Sequence, residues 1–359
     1  MWSDRRLLDL LKIEHPIIQA PMAGAMDAEL VVAVSEAGGL GSLPCGMSDG
    51  EQIRAQVDAI RAKTRRPFQL NFFCHTAPVL NNARESAWRD RLSTYYAEFG
   101  VDPAAPAPRI NRSPFNAELV ALVEELRPPV VSFHYGLPEA RLLERVKAAG
   151  CVVIGCATTV VEAHAIEDGG ADAVIAQGLE AGGHRGMFLS DDIGSQIGTF
   201  ALVPQIADAI AIPVIAAGGI GDARGIAAAF VLGAAGVSIG TVYLFCPEAK
   251  ISSLYRAALA SSHDDATALT NVFTGRPARG IVNRLIREVG PIAPDAPEFP
   301  LAGGALQPLR AAAERQGSGD FSPMWSGQSA AFGRSIAAGE LTRALASDTQ
   351  ALLKRLPGD

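Results

Sequence analysis

The sequence predicts an α/β chain whose short strands close into a (β/α)8 barrel. Three observations carry this. Short apolar runs alternate with amphipathic helical segments, the pattern of parallel strands joined by right-handed crossovers. The runs are apolar throughout rather than alternating, as expected when both sheet faces are buried. There are eight of them, and polar or glycine-rich residues gather where they end, at the face on which barrels of this kind build their sites. At 359 residues with 48% hydrophobic and 19% charged content, the chain suits one barrel carrying an addition.

In order, Leu7–Leu11 reads as an amphipathic lead-in. The first strand starts at Pro16 and ends at a proline, Pro21, followed by a glycine-flanked loop with Met22, Ala23 and Gly24. A helix over Leu30–Ala37 ends at Gly38-Gly39, and Leu40–Pro44 is the second strand. Asp49–Lys63 is helical because Ile53, Val57 and Ile60 recur at helical spacing with charges between them. Phe68–Phe73 is the third strand, with Asn71 near its end. The alternation then lapses from Cys74 to Pro129, an elaborated loop rich in Pro, Asn and Arg, with helices expected at Glu85–Glu98 and Asn116–Leu126.

Alternation returns with strand four at Val130–Tyr135 and a helix over Glu139–Ala149. Strand five is Val152–Cys156, followed by a helix over Val160–Asp168. Strand six is Ala173–Gln177. A helix at Leu202–Ala209 leads to strand seven, Pro213–Ala217; a helix at Ala223–Leu232 leads to strand eight, Gly236–Gly240. After Cys246 the texture changes. Residues 247–320 read as a smaller, mostly helical domain on the substrate side, and residues 321–359 return to the barrel formed by 1–246, ending in a helix over Leu341–Leu356.

The net charge is -7, and no basic stripe marks a nucleic-acid surface. No apolar run reaches the ~18 residues needed to span a bilayer. Charges interrupt the leucines of the first fourteen residues, unlike a signal peptide. The five cysteines form no CxxC pair and sit in apolar surroundings, where a free cysteine acts as a small hydrophobe. The expectation is a cytoplasmic protein without structural disulfides or a metal site. Cys156 has no cationic neighbour in sequence to activate it.

The densest chemical signal is Gln177-Gly178-Leu179-Glu180-Ala181-Gly182-Gly183-His184-Arg185-Gly186, which follows strand six. Its glycines permit close approach of backbone to a ligand, and His184 can exchange a proton near neutral pH. Arg185 reads as a solvent-facing residue. His134 ends strand four and reads equally well as a satisfied core histidine. Gly218 and Gly219 end strand seven and face Ser238, Ile239, Gly240 and Thr241 at the end of strand eight. Together they form a candidate phosphate cradle, with further donors expected at the start of the following helix. Gly219-x-Gly221-x-x-Arg224 does not complete a dinucleotide fingerprint.

The chain resembles the bacterial nitronate monooxygenases, formerly 2-nitropropane dioxygenases. The resemblance rests on Gln19–Gly24, Phe133–Pro138, Gln177–Gly186, Ala216–Ile220, Ser238–Thr241, Phe273–Gly280 and Trp325–Gln328. It implies an FMN-dependent barrel that oxidises alkyl nitronates, such as the toxic metabolite propionate 3-nitronate, with O2 to a carbonyl compound and nitrite. By motif position it implies His184 as the active-site histidine. FMN would contact Met22, Ala23, Asn71, Gln177, Gly182, Gly218, Gly219, Ser238, Ile239, Gly240 and Thr241. His134 and Trp325 are the substrate-side candidates. The partners implied are a small nitronate or nitroalkane and O2, with no nucleic acid or membrane; a homodimer is the assembly to test. The Glu-Ala-Gly-Gly-His core is shared with FMN-barrel enoyl-acyl carrier protein reductases, and the barrel with NADH:quinone reductases. A nicotinamide-dependent reductase is therefore one alternative. A flavin-free isomerase or lyase using the phosphate cradle is another.

Overall fold

A computed structural model describes residue 2, residues 4–102 and residues 112–355. Its strands are β1 (Ile17–Gln19), β2 (Gly41–Pro44), β3 (Phe68–Phe73), β4 (Val130–His134), β5 (Val152–Ala157), β6 (Ala173–Gln177), β7 (Gly183–His184), β8 (Val214–Ala217), β9 (Gly236–Ile239), β10 (Thr267–Thr270) and β11 (Ala278–Ile281). Eight of them form one all-parallel sheet in the order β1-β9-β8-β6-β5-β4-β3-β2. A parallel bridge between Ile18 and Leu40 joins the two ends, so the sheet closes into the expected barrel. The strand interiors are almost wholly buried.

Helices follow the barrel strands. Those of the first half are α1 (Arg6–Leu11), α2 (Ala28–Glu36), α3 (Gly50–Lys63), α4 (Asn82–Arg91), α5 (Ser93–Phe99), α6 (Ala117–Leu126) and α7 (Ala140–Ala148). The rest are α8 (Val160–Asp168), α9 (Thr199–Ala209), α10 (Ala223–Val231), α11 (Ser253–Ala260), α12 (Arg284–Val289), α13 (Ala302–Arg315) and α14 (Ala338–Leu353). The expected register of α3 has a local cause. Asp49 accepts from the Gln52 N–H while the Gln52 side chain accepts from the Asp49 N–H, a reciprocal cap. Ile53, Val57 and Ile60 then face the barrel. The C-terminal helix α14 packs against both α10 and α2 and completes the outer ring. Leu356, the expected end of that helix, lies outside the described residues. No helix of the described residues is long and apolar enough to cross a membrane.

Two departures matter for the site. The single helix expected over Glu85–Glu98 is broken at Leu92 into α4 and α5. Trp88, Leu92, Tyr95 and Tyr96 recur at helical spacing and keep one shared inward face across the break. There they meet Val272, Phe273, Leu285, Ile286, Leu306, Leu309 and Phe321 in a second hydrophobic core. The Trp88 indole N–H donates to the Ala302 carbonyl at 3.1 Å and the Tyr96 hydroxyl to that of Ala305 at 2.7 Å. The region after β9 also carries β10 and β11. These pair antiparallel, and β11 in turn pairs with β7. Short strands with Arg279 and Gly280 inside lack the apolar alternation that would announce them.

Candidate active site

His184 stands at the C-terminal mouth of the barrel, on the two-residue strand β7, with Ala278 of β11 as its backbone partner. Its loop is fastened from beneath. The Gln177 amide closes on it from both ends, accepting from the Gly186 N–H at 2.8 Å and donating to the His184 carbonyl at 3.1 Å. His134 Nε2 donates to the same carbonyl at 3.2 Å. Arg185 corrects a reading made from sequence: it does not face solvent but is 0% exposed. Its guanidinium donates to the carbonyls of Gln177 and Gly178, both at 2.6 Å, and to Gln196 Oε1 at 2.9 Å. A single buried arginine thus ties down the last carbonyl of β6 and the next one, that of Gly178, which also accepts from the Ala181 N–H at 3.1 Å. Alternation of polar and apolar residues carries no signal for this, since Arg185 neighbours only glycine and histidine.

The imidazole of His184 meets Thr274 Oγ1 at 2.9 Å. The Thr274 hydroxyl in turn donates to the Arg276 carbonyl at 3.4 Å. With that proton committed, Thr274 accepts from His184 Nε2–H, and Nδ1 holds the free lone pair. Nδ1 has no hydrogen-bond partner among the described residues. Burial pushes the His184 pKa well below its usual value, and the charges of Arg112, His134, Arg276 and His75 add to the effect. The imidazole is therefore neutral near pH 7 and poised to accept a proton.

Aromatic rings wall the space beside it. Phe299 lies 5.3 Å from the His184 ring centre, Trp325 5.3 Å and Tyr135 6.4 Å. Phe299 also stands 4.9 Å from His75 and 5.5 Å from Tyr135. Sequence reasoning passed over His75, Arg112, Tyr135 and Phe299 as site residues. They come from the elaborated loop, a strand end and the appended region, and only the closed fold gathers them. His134, by contrast, packs behind the loop. Burial lowers its pKa to about 4, which suits a neutral donor to the His184 backbone.

The cofactor candidates sort into two kinds. Gly218 and Gly219 adopt φ of 104° and 71°, open to glycine alone at low cost. The backbone N–H groups of Gly218, Gly219, Gly240 and Thr241 make no hydrogen bond within the described residues. Four unpaired amides on facing loops fit an anion such as a phosphate. A side chain on Gly240 would meet only Ala20 Cβ at 3.6 Å and Met22 Sδ at 3.9 Å. Ser238 is buried with its hydroxyl unpaired among the described residues. The expected donors at the start of α10 are not free. Asp222 caps that helix by accepting from Arg224 and Gly225, which places a carboxylate where an anion would sit.

Other candidates are held by the protein itself. Asn71 Nδ2 donates to Ser132 Oγ at 3.0 Å. Thr241 Oγ1 accepts from the Gly327 N–H at 2.9 Å. Gly182 faces the returning chain, and a Cβ there would lie 2.4 Å from the Gly327 nitrogen. Its glycine therefore answers a backbone-to-backbone approach. Met22 and Ala23 lie in the turn after β1, where the Ala25 N–H donates to the Met22 carbonyl at 3.0 Å. Ile239 is buried in the last barrel strand. No group of metal-ligating side chains forms among the described residues. All five cysteines are free, and burial pushes the Cys156 thiol up to about 12, far from a reactive thiolate.

With this geometry in hand, similarity to known proteins is informative. The family profile described as nitronate monooxygenase matches residues 4–348. The nitronate monooxygenase of Pseudomonas aeruginosa is 44% identical, covering 96% of this chain and 98% of that one. That of Paraburkholderia phytofirmans is 40% identical, covering 98% and 97%. Among solved structures, the nitroalkane oxidase of Streptomyces ansochromogenes superposes with a TM-score of 0.89 at 36% identity over 98% of this chain and 100% of that one. FabK of Thermotoga maritima superposes with a TM-score of 0.74 at 29% identity, covering 99% of both chains.

Proposed function

The chain belongs to the nitronate monooxygenase family, and from that premise we propose that it binds FMN in the barrel mouth and oxidises small nitronates with O2. The observation that carries the reading is a neutral His184 with a free Nδ1, set beside two guanidinium groups that have no carboxylate partner. A nitronate is an anion that already holds the electrons to be transferred, so no nicotinamide is required. FMN, when bound, supplies an acceptor for those electrons and a route to O2, with the carbonyl compound and nitrite as products.

The amides of Gly218, Gly219, Gly240 and Thr241 and the Ser238 hydroxyl would hold the cofactor's phosphate. Gln177, Asn71 and Met22 would line its ring system. For a neutral nitroalkane, His184 Nδ1 accepts the α-proton, while Nε2–H on Thr274 Oγ1 fixes the imidazole's orientation. Such a base typically contributes about 10²–10⁴-fold. For a preformed nitronate no proton need move. An imidazolium is disfavoured at this position, so Arg112 and Arg276 supply the positive field. Phe299, Tyr135 and Trp325 keep bulk water away, which strengthens that field.

The test is anaerobic. Purified protein, yellow if the flavin is present, is mixed with ethyl nitronate or with NADH and NADPH while flavin absorbance is followed. Response to the nitronate with nicotinamides inert supports the proposal; response only to a nicotinamide moves the protein to the reductase branch that FabK exemplifies. Colourless, flavin-free protein would favour the isomerase or lyase alternative. In a His184→Asn variant, FMN content should persist and turnover of nitroethane should fall by about 10²–10⁴-fold, with ethyl nitronate less affected. Full nitroethane activity in that variant would refute the base assignment.

A further inference from the structure

Ten buried side-chain polar atoms have no hydrogen-bond partner among the described residues, and five of them gather in one place: His75 Nδ1 and Nε2, Arg112 Nε, Arg276 Nε and the Tyr135 hydroxyl. Unsatisfied buried polar groups are costly and uncommon; four of these five are N–H or O–H donors when His75 is neutral, and together they call for a common acceptor. His75 is 4% exposed and Tyr135 3%. Tyr135 holds a left-handed backbone with φ of 70°, unfavourable for a bulky residue. That conformation sets its ring against the Arg276 guanidinium, whose centre lies 4.2 Å from the ring centroid. Arg112 stands 5.5 Å from the Phe299 centroid, and His184 lies 5.3 Å from the same ring. Arg112 and the reacting histidine thus both lie against the Phe299 ring.

The charge here is of one sign. No carboxylate of the described residues forms an ion pair with Arg112 or Arg276. What partners they have are weak or neutral: Arg112 donates to the Met47 sulfur at 3.6 Å, and Arg276 donates to the Met187 carbonyl. Two half-buried guanidinium groups of like charge, without a carboxylate counter-ion among the described residues, are favoured by an anion placed between them. His184 and a single nitronate group account for only part of this excess.

We propose that Arg112 and Arg276, with His75 and Tyr135, form a second anion subsite that takes the carboxylate of an acidic nitronate whose reacting carbon lies at His184. These residues then determine specificity for short nitronates with an anionic tail over plain alkyl nitronates. The assignment rests on nitronate oxidation at His184. Arg112 and Arg276 bind the tail, and the Tyr135 hydroxyl donates to it. His75, neutral through burial, offers one further N–H.

The test compares kcat/KM for propionate 3-nitronate with that for propyl-1-nitronate, which carries methyl in place of the carboxylate. Wild type should favour the carboxylated substrate. In Arg112→Gln and Arg276→Gln the ratio of the two values should fall by roughly tenfold to hundredfold, the range for a charge-assisted contact, and mainly through KM. Arg112→Lys should keep more of the preference than Arg112→Gln. An unchanged ratio, or equal loss with both substrates, would overturn the subsite. Calorimetric binding of propionate to the flavin-loaded protein separates this from failure of the nitronate reading. If wild type oxidises neither nitronate, propionate binding that is lost in the variants upholds the subsite, and binding indifferent to them overturns it. Flavin content and Tm are checked in each variant. If a Gln variant does not fold, propionate affinity weakened in the Lys variants serves as the supporting readout and unchanged affinity as the contrary one.

Discussion

At Gly182 a hydrogen atom is all the returning chain leaves room for. A Cβ would stand 2.4 Å from the Gly327 nitrogen and 2.7 Å from the Ser326 carbonyl carbon, both backbone atoms that cannot swing aside. Gly182→Ala should therefore destabilise the protein by about 1–3 kcal/mol, read as a lower denaturation midpoint, and should loosen the His184 loop. The histidines give a second consequence at this scale. Burial holds His75 and His134 at about 4, whereas an unfolded histidine titrates near ~6.5. The unfolded chain therefore binds more protons between those values. The stability these groups support is complete above pH ~6.5 and is lost as pH falls through about 4. Tm measured from pH 7 down to pH 4 should decline across that window, and His75→Phe should make the decline shallower. An unchanged slope in that variant would remove His75 from the account.

Among the elements, the loops after β8 and β9 offer free amides, while α10 keeps its own N-terminus occupied by Asp222. Asp222→Ala should accordingly cost about 1 kcal/mol of stability through the lost cap, yet leave flavin content unchanged or raised. Loss of flavin from a folded variant would return α10 to the cradle. Much at this scale was legible from sequence. Parallel strands buried on both faces announce themselves as apolar runs, and the glycines around His184 stand out because few folds need so many together. What stayed hidden depends on distant parts of the chain. The strands β10 and β11 are short and polar, and their reason to exist is the edge that β7 presents. Arg185 becomes a buried strut only because β6 ends with two carbonyls beneath it. His75 and Arg112 sit in a loop whose composition reads as irregular, and their role follows from closure of the barrel around them.

Among the described residues, two large hydrophobic cores divide the work, beside a small cluster of Ala25, Leu244 and Leu259. The larger fills and surrounds the barrel. The smaller joins α4 and α5 to α12, α13 and the chain around Phe321, and Trp88 at its centre is 0% exposed. Trp88→Ala should cost about 3–5 kcal/mol by opening a cavity there. Limited proteolysis of that variant should cut in both segments before the barrel, because each is held mainly by the other. Cleavage confined to one segment would show that the second stands by itself.

The shared core also constrains how such a protein can change its substrate. Arg112 descends from the excursion between β3 and β4, whereas Arg276 and Phe299 descend from the excursion after β9, and packing around Trp88 couples these two stretches of chain. A transplant of one excursion from a relative would meet a foreign half-core and bring a mismatched half of the pocket. Altered selectivity should then be inherited in pairs: chimeras exchanging both excursions together should fold and acquire the donor's preference, while single exchanges should lose solubility first.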